Sequence, residues 1–377
     1  MSTVCLKLYT YLCVLSLVLH AFNRLSIVEG VKYFHLTALL SLICYFFIPK
    51  TKDRIYRDVV LLIVISLISS LLSPVENSFL GGVTLAIVIF SMLGVREVKD
   101  KKIIHYLNMG SAVIVIALLM HYFSEDIFRY QGYYEDPNYM CTTLLVLLYF
   151  ILLEFMQLKS LFWKILLVVE IFFILFLVAV SLSRTGLFAA FIILTISFFS
   201  FIKRYKIYTF FFVIASAIAL NTWQPEFVEK AVAGLMDRQN STNDNFDSAR
   251  SHRFDLSVVG LSYLFSNPEY WIQGIGVGGT HNKKYFSGFD MKAGTNRDHN
   301  TFTSSLTEQG LVGFYCYVSI IILSFLFVFR KSKIVIYKYI TLGVMISMVV
   351  FSLSIWQMNY LPFWFFFFFA TNKYLIQ

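Results

Sequence analysis

Charge is scarce in this chain. Asp, Glu, Lys and Arg make up 14% of its 377 residues, against about 25% in soluble domains. With 58% hydrophobic residues, the polar surface is too small to cover the chain in water, which excludes an ordinary soluble globular protein. Cysteine is sparse too. Cys5, Cys13, Cys44, Cys141 and Cys316 fall in or beside apolar runs, and none has metal-ligand spacing, so neither disulfides nor zinc are expected. No cleavage signature of small residues follows the first apolar stretch, about 4–22, which therefore reads as a span and not as a removed signal peptide. There is no internal repeat of 20–50 residues and no separable soluble domain.

What is abundant is apolar and aromatic. The 40 Phe and 23 Tyr suit a lipid-facing wall and interfacial belts. A bilayer-crossing helix needs about 20 apolar residues. Runs of that kind recur at 4–22, 31–48, 58–73, 79–95, 103–123, 139–157, 162–181, 185–202, 207–223, 309–329, 334–355 and 360–375. The expectation is an all-α polytopic membrane protein of about twelve helices, a single integral domain over 1–377.

The net charge of +9 would suggest nucleic acid in a soluble protein. Here the cations lie in short loops, so no nucleic-acid partner is expected. One side holds Lys50, Lys52, Arg54, Arg57, Arg96, Lys99, Lys101, Lys102, Lys159, Lys164, Lys203, Arg204, Lys206, Arg330, Lys331 and Lys333. The short loops of the other side hold only Arg24, Lys32, Arg129 and Arg184. The positive-inside rule makes the first side cytoplasmic, with both termini there.

One polar segment, 224–308, is long and falls on the outer side, between the ninth and tenth spans. Within it, 251–265 has a helical apolar face of Phe254, Leu256, Val258, Val259, Leu261 and Leu264, suited to lying on a membrane surface. Loops of this length in compact proteins are usually functional or disordered.

Three outer clusters carry candidate chemistry. The first, 129–138, ends in Asp136-Pro137-Asn138. It reads either as a helix start with Asn138 as N-cap or as part of a site. The second, 181–186, sets Arg184 among serines, Thr185 and Gly186 at the joint of two spans. A cation at membrane depth needs a partner or ligand, unless it snorkels to the head groups as an anchor. The third is the loop: Arg250 and Arg253, then Gly274, Gly276 and Gly278, then Asp298-His299-Asn300 and Glu308. The glycines match a phosphate-binding loop only weakly, since no strand–turn–helix unit surrounds them; they more readily shape a turn over the site.

In this order the motifs resemble the O-antigen ligase and O-antigen polymerase superfamily. They are Gly132 with Asp136-Pro137-Asn138; 183–186; Gly274-x-Gly276-x-Gly278; and His299-Asn300 followed by Glu308-x-Gly310-x-x-Gly313. The resemblance implies a GT-C-type glycosyltransferase of the bacterial inner membrane, inverting and metal-independent, with its active site facing the periplasm. It implies an undecaprenyl-diphosphate-linked oligosaccharide donor. The acceptor would be a lipid-linked repeat unit for a polymerase, or lipid A–core for a ligase, and the reading favours polymerase. Membrane lipids are implied partners, with a chain-length regulator and a flippase as further ones.

No cofactor is expected. The outer loop shows no DxD carboxylate pair, so arginines must neutralise the departing diphosphate, and Arg184, Arg250 and Arg253 are the candidates. His299 stands where the family places its key histidine and is the expected base. Asp136, Asn138, Asn300 and Glu308 are expected to support the site, with Glu308 and Asp136 as alternative bases. Two other classes compete. A flippase or transporter would want mid-membrane charge and internal repeats; the evident mid-span acid is Glu170, with Glu154 near the cytoplasmic end, and no repeat is visible. A non-catalytic scaffold would leave the Arg, His and Gly clusters without a use.

Overall fold

In lipid, every backbone polar group must find its partner within the protein, and helices do this within one segment. The computed structural model is built on that solution. It describes residues 2–22, 26–28, 31–48, 50, 52–75, 78–124, 130–134, 136–204, 257–279, 300–332 and 334–374. Its helices are α1 (Ser2–His20), α2 (Tyr33–Phe46), α3 (Arg54–Leu71), α4 (Ser78–Leu93), α5 (Lys102–Ser124), α6 (Pro137–Gln157), α7 (Leu161–Val180), α8 (Arg184–Arg204), α9 (Ser257–Ser266), α10 (Thr301–Lys331), α11 (Val335–Ser352) and α12 (Leu361–Ala370). A short antiparallel ribbon, β1 (Ser26–Val28) with β2 (Val31–Lys32), joins α1 to α2.

Helices overlie every expected span except 207–223, which lies outside the described residues. Six apolar helices, Ser78–Glu97, Lys102–Ser124, Pro137–Gln157, Leu161–Val180, Thr301–Lys331 and Val335–Ser352, are long enough to cross a membrane. The sequence reading of α12 needs correction. It was expected as a span over 360–375, but the helix stops at Ala370 after ten residues, about 15 Å of rise. Thr371 and Asn372 end it by turning to other loops. All ten of its side chains are buried, so its length need not match the bilayer.

α6 and α12 form the centre, apolar on all sides as buried helices are. Phe150 meets Phe369 edge-on at 4.8 Å, and Tyr149 meets Phe366 at 5.1 Å. Lipid tails are as apolar as these rings, so close packing and not escape from water holds the helices together. α10 packs on α3, α11 on α8, α1 on α2, and α12 on α4. α7 turns Phe162, Trp163, Ile165, Val168 and Phe172 outward as a lipid-facing wall.

A clasp closes the end of the bundle where the basic loops gather. Asp53 caps α3, accepting from the Tyr56 N–H at 2.9 Å. It also holds the buried Arg96 guanidinium through two hydrogen bonds, 3.0 and 2.5 Å. Arg96 Nε donates to Thr371 Oγ1 at 3.1 Å, and Asn372 donates to the Val95 and Val98 carbonyls at 2.7 and 2.8 Å. Burial alone would push the Asp53 carboxyl up, but the hydrogen bond and charge of Arg96 outweigh it and hold it below its usual range.

Candidate functional site

At the opposite end, the chain starts α6 with Asp136-Pro137. Asp136 is the N-cap, its carboxylate accepting from the Asn138 N–H at 2.7 Å, and Pro137 occupies the first turn, where no N–H is needed. Asn138 is therefore not the cap, contrary to one of the two sequence readings. Its side chain is buried, and its Oδ1 accepts a 2.5 Å hydrogen bond from the Ser183 hydroxyl.

Ser183 sits in the three-residue turn between α7 and α8. Its Oγ accepts from the Gly186 N–H at 2.9 Å and so caps α8. Ser181 Oγ accepts from the Ser183 N–H at 3.1 Å and donates to the Val178 carbonyl at 2.6 Å. Gly186 must be small, since a Cβ there would lie 2.6 Å from Cys141 Sγ on α6. The first two sequence clusters are thus one structure. Arg184 opens α8 with its side chain exposed beside this buried pair.

The glycine run is stitched into a kink in α10. Gly310 has φ 66° and ψ −170°, a conformation essentially restricted to glycine. The freed backbone groups there pair with the loop. Ile275 N–H donates to the Thr307 carbonyl at 3.0 Å, Gly276 N–H to Glu308 at 2.9 Å, and Leu311 N–H to Trp271 at 2.7 Å. Serines at the α3–α4 turn grip the other side. Ser69 Oγ donates to the Glu308 carbonyl at 2.7 Å, Ser73 Oγ to Ile275 at 2.5 Å, and Ser78 Oγ to Val277 at 3.0 Å. The turn that the glycines shape is a brace joining α3, α4 and α10. Glu308 is wholly buried within it.

α9 is described from Ser257. Its expected membrane-facing stripe is partly turned inward: Val259 and Leu264 are buried, while Val258 and Phe265 are exposed. The reason is contact with α10. Gly260 lies against Thr307, and Thr303 Oγ1 donates to Ser257 Oγ at 3.2 Å. Phe254 and Leu256 lie outside the described residues, as do Arg250, Arg253 and His299.

A buried polar seam links these parts. Asn300 caps α10, accepting from the Phe302 N–H at 2.9 Å. Thr301 Oγ1 donates to the Ile355 carbonyl at 2.6 Å and accepts from the Gln357 N–H at 2.9 Å. Gln357 Nε2 reaches Thr142 Oγ1 on α6 at 3.5 Å, and Thr142 donates to the Asn138 carbonyl at 2.9 Å. Tyr139 donates to the Trp356 carbonyl at 2.7 Å. Thr142, Thr301 and Gln357 are fully buried and were missed by sequence reasoning; a lone Gln between Trp356 and Met358 was the available signal. Asp136 and Asn138 meet at the start of α6, and the seam ties Asn138 to Thr301 beside Asn300; Glu308 lies apart from them, in the glycine brace. Among the described residues no three His, Cys, Asp or Glu side chains gather as a metal cradle. An exposed guanidinium at a helix N-terminus can bind an anion with two parallel hydrogen bonds, reinforced by the helix dipole.

Residues 169–318 match the family model described as O-antigen ligase. That stretch runs from the middle of α7 through the Ser183–Arg184 turn, α9 and the glycine brace into α10. The match supports the O-antigen polymerase and ligase superfamily, whose members are glycosyltransferase-like enzymes. No curated protein matches the chain.

Proposed function

Taking the O-antigen ligase domain at residues 169–318 as the premise, we propose that this protein is a polymerase of lipid-linked glycan repeat units. It works in the bacterial inner membrane with the Arg184 end of its bundle facing outward. It has a GT-C-type arrangement of about twelve spans, and residues 224–308 form the outer loop. The donor is an undecaprenyl-diphosphate-linked oligosaccharide and the acceptor a second lipid-linked repeat unit.

The reaction is a displacement at the anomeric carbon. An acceptor hydroxyl oxygen forms the new glycosidic bond as the bond from the anomeric carbon to the phosphate oxygen breaks. Its electron pair leaves with the diphosphate, and the hydroxyl proton passes to a base. His299 is that base. Arg184, Arg250 and Arg253 neutralise the diphosphate, a task for which a planar guanidinium suits better than an ammonium. Asp136, Asn138, Asn300 and Glu308 position the site through caps and backbone contacts.

The observation that carries this reading is the 2.5 Å hydrogen bond from Ser183 to Asn138. It joins two motifs 45 residues apart and leaves Arg184 exposed beside them. The test is glycan chain length in cells lacking the wild-type protein and supplied with variants at equal membrane levels. Wild type restores a ladder of chain lengths, and Arg184→Lys does not. Polymerised lipid-linked chains that persist without the protein and fail only to reach lipid A–core would make it a ligase, and no change in glycan on restoring the wild type would end the reading.

A further inference from the structure

α5, α6 and α7 enclose a second feature, lined among the described residues by none of those assigned to glycan transfer. A cavity of about 420 Å³ opens between them. Most of its wall is apolar, from Met109, Val115 and Ile116 on α5 to Leu166, Val169 and Phe173 on α7. Four polar residues also line it: His105, Asn108, Glu154 and Glu170.

The polar groups are unequally engaged. Glu154 is held on both oxygens. His105 Nδ1 lies 2.8 Å from its Oε1, and Asn108 Nδ2 donates to its Oε2. Glu170, halfway along α7, has an Oε1 that is buried without a hydrogen-bond partner among the described residues. Asn108 is 5% exposed, its Nδ2 faces Glu154, and its Oδ1 is likewise buried without a partner. An unpaired polar atom in lipid costs several kcal/mol in general, and acidic residues inside spans usually mark a binding site or path.

Both free atoms can accept hydrogen bonds, and one belongs to a carboxyl group. An ammonium carries three N–H donors and a positive charge. We propose that this cavity binds an amphiphile with a protonated primary amine head. The amine sits between Glu170 and Asn108, and the apolar body lies along Met109, Ile116, Leu166 and Val169. Met109, Ile116, Leu166 and Val169 are themselves open to the lipid phase, which gives the ligand its way in. Among the described residues, no Lys or Arg lines the cavity to hold an anionic head, so this site is distinct from the one for the diphosphate donor.

The probe is a fluorescent long-chain alkylamine, with the matched alkyl sulfate as its anionic control. Both are titrated into the full-length protein in neutral-lipid nanodiscs. The amine should bind saturably and the sulfate should not. Glu170→Gln should weaken amine binding by about tenfold or more, the scale of a lost charge-assisted hydrogen bond, and Asn108→Ala by a smaller factor. Equal binding of amine and sulfate by the parent protein overturns the proposal without any variant, since the cavity would then be only an apolar groove. So would a folded Glu170→Gln that binds the amine like the parent. Thermal unfolding of each variant in detergent separates misfolding from lost binding.

Discussion

Replacing Gly310 by Ala should detach the glycine brace from α10. Two terms set the size. A residue other than glycine at φ 66°, ψ −170° carries about 1–3 kcal/mol of strain. The new Cβ would also lie 2.4 Å from the Ile272 carbonyl oxygen and 2.5 Å from its carbon. Both are backbone atoms, so relief requires the two segments to part. Parting breaks the bond from the Leu311 N–H to the Trp271 carbonyl, and a buried donor left unpaired costs about 1–3 kcal/mol. The sum is about 2–6 kcal/mol, which raises local opening on the order of 30-fold or more. Gly278→Ala is the internal control. Its φ is also positive, at 78°, but nothing lies within 4 Å of the added carbon, so only a strain of about 1–2 kcal/mol applies. The assay is amide hydrogen exchange at Leu311 and Gly276 in nanodiscs, run beside chain-formation activity in cells. Gly310→Ala should speed exchange at both amides and abolish activity, while Gly278→Ala largely retains both. Equal behaviour of the two variants would refute the brace.

Ser183→Ala and Asn138→Ala should each destabilise the α6–α8 junction by about 1–3 kcal/mol, because each leaves a buried partner unsatisfied; the double variant should cost clearly less than the sum, read by thermal unfolding in detergent. The Asp53–Arg96 clasp should weaken with acid. The carboxyl is held below its usual range when folded, so its contribution is complete above the unfolded carboxylate range and is lost as pH falls through the lower folded value. Asp53→Asn should remove that acid-range dependence from the unfolding profile. Chelation by EDTA should leave transfer activity intact; a full loss restored by magnesium or manganese would replace the arginines with a metal. Reporter fusions after Asn243 and after Lys333 should report outside and inside respectively, and the reverse would invert the assigned sides.

The apolar helices were legible because length and apolarity alone mark them, and six are long enough to cross a membrane. The burial of α12 was not, since apolar composition does not distinguish a bilayer crossing from a helix buried by its neighbours. Asp136-Pro137-Asn138 was legible as a helix start, but not which residue caps it: both Asp and Asn cap well, and only the Ser183 hydroxyl across the bundle decides. The glycine run was legible as a turn. Its partners, Ser69, Ser73 and Ser78, were not, because serines in an apolar run carry no signal of what they meet. The Thr301–Gln357–Thr142 seam was hidden for the same reason, since its members are 56 and 215 residues apart in pairs.

The most direct measurement of the central claim uses purified protein in nanodiscs and a synthetic undecaprenyl-diphosphate-linked repeat unit as the sole substrate, without an ion gradient. Undecaprenyl diphosphate should be released in step with the glycosidic bonds formed. Arg184→Lys should lose most of that rate although its charge is kept, and His299→Ala should lose about 10²–10⁴-fold. Normal chain formation by both variants at normal protein levels would contradict the site, and movement of intact substrate across the membrane without bond formation would contradict the function.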